Sequence, residues 1–266
     1  MKPSKSNIFS GIAFYGLCLS FASCSPANET PTQYTLNFNL IASGTPIAMD
    51  ETVTNSGNTK YSIDVLRFYI GFPRLVKTDD TEVPISNLLI VGFDKHIPYD
   101  LVYNSSFTFS APAGSYKAVR FGLGIPPTIK DTISHNHFGK NDPLNPTYGM
   151  VRTNTTQISD VNMQMFVDSS KAQNYTPDKF LNIRIIEDQD TLNLYKNLEF
   201  SGSFIIGNGA NHVDNFNLDM TQVFFPDNNQ INIRYAPSTD MTIGDKVGIN
   251  LGIQVNNNFA KAITKQ

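Results

Sequence analysis

Apolar and polar residues alternate along much of this chain. Tyr34, Leu36, Phe38 and Leu40 are separated by Thr35, Asn37 and Asn39, the period of two that a strand with one buried face requires. The pattern returns at Val161, Met163, Met165 and Val167. Tyr61 to Val76 reads as a strand with a bend or an edge at Gly71 and Pro73, and Asn87 to Phe93 as a short, fully apolar strand. Ser106 to Ala111 and Ser115 to Leu123 read as a pair about the Pro112-Ala113-Gly114 turn. Phe180 to Glu187 and Leu192 to Phe200 flank a turn at Asp188-Gln189-Asp190. Ser203 to Ile206, Asn215 to Met220, Ile231 to Tyr235 and Lys246 to Val255 complete roughly ten strands, and no long amphipathic helix is expected. Thr221 to Phe225 and Asn258 to Ile263 have room for a helical turn or two. The sum predicts an all-β fold, an antiparallel β-sandwich or sandwich-like barrel. Gly124 to Gln157 has little periodicity and many turn residues, so it reads as one long loop, a kind of segment that is usually either functional or disordered.

The N-terminus follows a different pattern. Lys2 and Lys5 precede an apolar run from Ile8 to Phe21, and Ala22-Ser23-Cys24 follows. A basic start, a short apolar run and small residues are the order of a secretory signal peptide; the run is too short to span a membrane. The small-small-Cys ending resembles a bacterial lipoprotein signal, in which Cys24 becomes the acylated first residue. Phe21 departs from that pattern, where an aliphatic residue is usual, and an ordinary secreted protein cleaved near Ala22 is the alternative. The expected organisation is a signal peptide over 1–23, a lipidated tether over 24–33 and a single domain over 34–266. The expected location is the bacterial cell envelope, on its periplasmic or cell-surface face, with the membrane contacted through acylated Cys24. That location excludes cytosolic cofactors such as NAD and ATP.

Charge and cysteine usage narrow the chemistry. The formal net charge is −3 with both signs interspersed, and no basic cluster offers itself to nucleic acid. Of the two cysteines, Cys18 lies inside the signal and Cys24 would become a thioether, leaving the mature fold no disulfide and no thiolate ligand. No Gly-rich phosphate loop, His-Glu-x-x-His, Cys-x-x-Cys or Gly-x-Ser-x-Gly motif occurs, so no nucleotide partner and no enzyme is predicted. The carboxylate pairs Asp79-Asp80 and Asp188 with Asp190 sit in turns, where turn chemistry explains them.

Histidines are the best candidate ligands. His135 and His137 stand two apart in the long loop, and in an extended segment both project to one side. Imidazole pairs suit copper or zinc, with His96 or His212 as a further ligand. Met150, Met163 and Met165 could offer thioethers, but Met163 and Met165 share a strand face with Val161 and Val167, which favours core packing.

Several segments together resemble a known family. They are Leu66-Arg67-Phe68-Tyr69-Ile70, Gly114-Ser115-Tyr116 leading to Phe121-Gly122-Leu123-Gly124-Ile125, and Asn141-Asp142-Pro143-Leu144-Asn145-Pro146 followed by Gly149-Met150. Leu218-Asp219-Met220-Thr221-Gln222-Val223-Phe224 and Asn257-Asn258-Phe259 close the set. In this order they resemble the MbnP-like domain of bacterial copper-associated envelope proteins, from about Tyr34 to Ala260. The resemblance implies a β-sandwich-like domain and copper as the ligand. It also implies a tryptophan-rich stretch after Gly-Met, from which a kynurenine can join histidines at the metal. Here Val151-Arg152-Thr153-Asn154-Thr155-Thr156 occupies that stretch and the chain has no tryptophan, so a kynurenine-type ligand cannot form. Copper binding through histidines alone, or a scaffold that has lost its metal, are the two expectations. The other classes considered are a metal-free surface module for an envelope protein or glycan partner, which Tyr and Asn enrichment suits, and a hydrolase on a sandwich scaffold, which no constellation supports.

Overall fold

The opening alternation becomes β1 (Thr32–Ala42), with Tyr34, Leu36, Phe38 and Leu40 all buried. The computed structural model describes residues 32–55, 57–94, 104–130, 139, 142–150, 158–168, 170, 174–186, 194–207, 209, 211–226, 230–236, 239–240 and 246–266. After β1 come β2 (Thr45–Pro46), β3 (Val53–Thr54), β4 (Lys60–Lys77), β5 (Glu82–Pro84), β6 (Leu88–Gly92), β7 (Ser106–Ala111) and β8 (Gly114–Leu123). A helical turn α1 (Pro127–Lys130) and a 3-10 turn (Pro146–Tyr148) precede β9 (Ser159–Asp168), β10 (Lys179–Ile186), β11 (Lys196–Ile206) and β12 (Asn211–Asp219). The chain ends with α2 (Met220–Phe224), β13 (Thr239–Asp240), α3 (Lys246–Ala262) and β14 (Ile263–Lys265).

These strands form two sheets, and the all-β sandwich class holds. One sheet runs β14-β12-β1-β2, with β7 also paired to β1. The other runs β11-β8-β4-β9-β10-β13, with β3, β5 and β6 also paired to β4. Most pairings are antiparallel; β1 with β12 and β10 with β13 are parallel. β4 is long enough to pair with β9 over Lys60 to Phe68 and with β8 from Ile70 to Lys77. The register shift between Gly71 and Arg74 separates the two runs. Gly122, opposite Gly71, has no room for a side chain because the Tyr195 ring lies on it.

The inward faces meet in an aromatic core. Phe38 and Phe216 stack with centroids 5.4 Å apart on the first sheet, and Phe38 meets Phe68 of the second edge-on at 5.9 Å. Phe121 and Phe200 close on Phe216 at 5.3 and 4.9 Å. Such pairs add about 0.5–1.5 kcal/mol each beyond the area they bury. Met163 and Met165 belong to this core, as their shared face with Val161 and Val167 implies. α2 forms where a short turn was expected, capped by the Asp219 carboxylate, which accepts the Thr221 N–H at 2.9 Å.

Four expectations are corrected. Lys246 to Val255 is helix, not strand, and belongs to α3 of 17 residues, so a long helix does occur. Ile231 to Tyr235 is a turn, with the Lys179 ammonium donating to the carbonyls of Ile233, Arg234 and Ala236. The separate strands expected over Leu192 to Phe200 and Ser203 to Ile206 are joined: β11 runs without a break through Phe200 to Ile206. β7 and β8 do not pair across the Pro112-Ala113-Gly114 turn; β7 joins β1 and β8 joins β4 and β11, so this turn crosses between sheets.

Candidate functional site

The long loop after β8 is fastened to the outer face of the larger sheet. Along β4, Leu66, Phe68 and Ile70 face the sandwich core, so Arg67 and Tyr69 face outward. Along β9, Val161 and Met163 face inward, leaving Asp160 and Asn162 outward, and Arg67 stands opposite Asn162 in the register. These outward residues are nonetheless buried: Arg67, Asp160 and Asn162 are 8%, 2% and 1% exposed. A second apolar cluster covers them, in which Tyr69, Leu88 and Ile90 of the sheet pack against Ile125, Leu144, Tyr148 and Met150 of the loop.

One fastening holds the start of the loop. The Asp160 carboxylate accepts the Ile125 N–H at 2.7 Å and pairs with the Lys130 ammonium at 3.0 Å. Burial pushes the Asp160 carboxyl above the usual carboxylate range, opposed by the charge of Lys130. The Gly124 N–H donates to the Tyr69 carbonyl at 2.9 Å.

A second fastening holds its end. Arg67 pairs with Asp94 through Nε and Nη2, while its Nη1 donates to the Tyr148 carbonyl at 2.8 Å. Asn162 Nδ2 donates to the Gly149 carbonyl at 3.1 Å, and the Tyr69 hydroxyl to the Pro143 carbonyl at 2.9 Å. Asp94 also accepts the Leu66 N–H, and burial raises its carboxyl despite Arg67. Between these contacts the sequence dictates its own turns. Asp142 Oδ1 accepts the Leu144 N–H at 2.9 Å, and Asn145 Oδ1 caps the 3-10 turn through the Thr147 N–H at 3.0 Å. Pro146 opens that turn and Gly149 closes it at φ 67°, where a side chain would strain the backbone and strike Arg67. The Leu-Arg-Phe-Tyr-Ile, Gly-Leu-Gly-Ile, Asp-Pro-Leu-Asn-Pro and Gly-Met segments are thus parts of one clamp.

His135 and His137 lie between the two fastenings in sequence, in residues 131–138, outside the described residues, as do His96 and Cys24. His212 is described, on β12 at the far side of the sandwich. Its ring stacks on Phe204 at 4.5 Å and Tyr34 at 5.9 Å. Its Nε2 lies 3.2 Å from Asp214 Oδ1, an oxygen that also takes the Lys265 ammonium at 2.8 Å. The Tyr34 hydroxyl donates to Asp214 Oδ2 at 2.6 Å, and burial followed by the Asp214 charge raises that phenol well above its ordinary value. Among the described residues no group of three or more His, Cys, Asp or Glu could hold a metal ion. Sequence reasoning did not single out Asp94, Lys130, Asp160 or Asn162. The alternation along β9 marks Asp160 and Asn162 as outward polar residues, and only the loop laid over them makes them buried.

Comparison with known proteins gives one family. The model of the family described as MbnP matches residues 31–243. Among solved structures, the MbnP from Methylosinus trichosporium is similar at a TM-score of 0.47 and 12% identity, over 73% of this chain and 78% of that one. No curated protein sequence matches the chain.

Proposed function

The chain belongs to the MbnP family, and on that premise we propose that it is a lipid-anchored protein of the bacterial envelope that binds copper through histidines and carries out no catalysis. The observation that carries this reading is the double clamp. Buried polar links at Asp160–Lys130 and at Arg67–Tyr148 hold both flanks of the segment that contains His135 and His137. A clamp of this kind limits the entropy lost when a loop closes on a ligand. His96 follows Asp94, a member of the clamp, by two residues and is the preferred third ligand. His212 is the least suited of the four, because its Nε2 already lies 3.2 Å from the Asp214 carboxylate and its ring is held by stacking on Phe204. The missing tryptophan favours the second reading, a scaffold that has given up its metal.

Neutral imidazole is the ligating form, so affinity should fall as pH drops through ~6.5. The full chain, purified in detergent, would be titrated separately with Cu(I) and Cu(II) against a competing chelator. The expected result is one retained equivalent, lost or weakened by at least about tenfold in the His135→Ala/His137→Ala variant. Absence of retained copper, or unchanged affinity in that variant, would overturn the assignment.

A further inference from the structure

A cleft of about 630 Å³, with no clamp residue in its lining, lies between the β3–β4 hairpin and the turn at Ile231 to Tyr235. Its hairpin wall is rigidly folded: Asn55 Oδ1 accepts the Thr59 N–H at 2.7 Å, and the Asn55 N–H donates to the Thr59 carbonyl at 3.0 Å. The opposite wall, Asn232 to Tyr235, is the turn gathered by the Lys179 ammonium, and burial lowers that amine below its ordinary range. Phe225 and Ile231 also line the cleft.

The lining has a definite chemistry. Among the described residues that line it, Arg234 is the one charged side chain and none is a carboxylate. Arg234 Nη2 reaches Thr59 Oγ1 at 3.3 Å, while its Nε is shut off from solvent without a hydrogen-bond partner among the described residues. A guanidinium carries five N–H donors, and Thr59 is the one acceptor that Arg234 meets among the described residues. Asn55 and Asn232 add amides, and Tyr235 holds its ring 77% exposed at the rim. An exposed aromatic beside amides suits the apolar face and hydroxyl edge of a sugar ring, and the guanidinium suits a carboxylate.

We propose that this cleft binds an acidic saccharide of the uronate class, with its carboxylate on Arg234, its ring against Tyr235 and its hydroxyls on the amides of Asn55 and Asn232. None of the four histidines takes part in this proposal, which stands or falls independently of copper. It would be tested by titrating the full chain in detergent with D-glucuronate, D-glucose and succinate, followed by calorimetry or saturation-transfer NMR. Glucuronate is expected to bind saturably, and glucose and succinate at least about tenfold more weakly, because each lacks one half of the recognition. Arg234→Met should weaken glucuronate by at least about tenfold. Tyr235→Ala, at an exposed position that the fold does not need, should weaken it several-fold with an unchanged near-UV spectrum. No glucuronate binding, succinate or glucose matching it, or undiminished binding in Tyr235→Ala would overturn the proposal.

Discussion

An ammonium and a carboxylate, both almost withdrawn from water, stand 3.0 Å apart where Lys130 meets Asp160. Removing one partner of such a pair leaves an uncompensated charge, which typically costs about 3–5 kcal/mol. Lys130→Met should therefore lose about that much in urea unfolding at pH 7. The pH dependence has a definite sign. Burial raises the Asp160 carboxyl in the folded protein, so the folded state holds that proton more tightly than the unfolded chain, whose carboxyl titrates near ~3.9. Its ionisation then destabilises the fold as pH rises from ~3.9 through the raised value. Without Lys130 the value rises further, so the deficit of the variant should shrink at pH 5. An equal deficit at pH 5 and pH 7 would show that the Asp160 charge is not its cause. Little of this pair was legible beforehand. Arg67 and Gly149 stood inside recognisable motifs, but Lys130, Asp160 and Asp94 carried no mark. Asp94 is 27 positions from Arg67, and only the pairing of β4 with β6 and β9 draws such positions together.

α3 shows how an element can conceal its type. Val247, Ile249, Leu251, Ile253 and Val255 alternate perfectly with other residues, which is a strand signal, yet the segment is helical. The helical period lies in Leu251, Val255, Phe259 and Ala262, the buried row that closes the core. Two buried amides then tie the helix down: Asn256 Nδ2 donates to the Leu194 carbonyl at 2.8 Å and Asn258 Nδ2 to the Val223 carbonyl at 3.0 Å. Phe259 meets Phe68 edge-on at 5.1 Å. Phe259→Ala should cost about 3–5 kcal/mol in denaturant unfolding. A loss below about 1 kcal/mol would mean that α3 is not a structural part of the core. Strands with one apolar and one polar face, β1 and β9, are the most legible elements, because period two survives in the sequence even where, as at Asp160 and Asn162, the polar face is also covered. The turn at Ile231 to Tyr235 was misread for a converse reason. Its alternating Ile231, Ile233 and Tyr235 look like a strand, but the Lys179 ammonium captures the carbonyls a sheet would have used.

At the scale of the whole molecule, the proposed lipid anchor and the proposed copper site would draw on different supports. The proposed acyl chains on Cys24 contribute about 0.8 kcal/mol per buried CH₂ and need nothing from the fold. Cys24→Ser should accordingly move the protein from the membrane fraction to the soluble fraction of a cell extract, with the same urea midpoint. A variant still found in membranes would remove the lipid anchor from the reading. The class of architecture was legible from alternation alone, whereas the assignment of strands to sheets was not, since the turn at Pro112 to Gly114 joins different sheets. The pairing of β1 with β12 also bears on how the domain is made. β1 is the first described strand, and its parallel neighbour arrives about 178 residues later, as Asn37 beside Asn215 shows. Topologies dominated by such distant pairings fold over milliseconds to seconds rather than microseconds. A chain emerging amino end first therefore exposes one side of β1, unpaired, until Asn211 to Asp219 has followed it out. During that interval the strand is a sticky edge, open to pairing with a second copy of the chain before its own partner arrives.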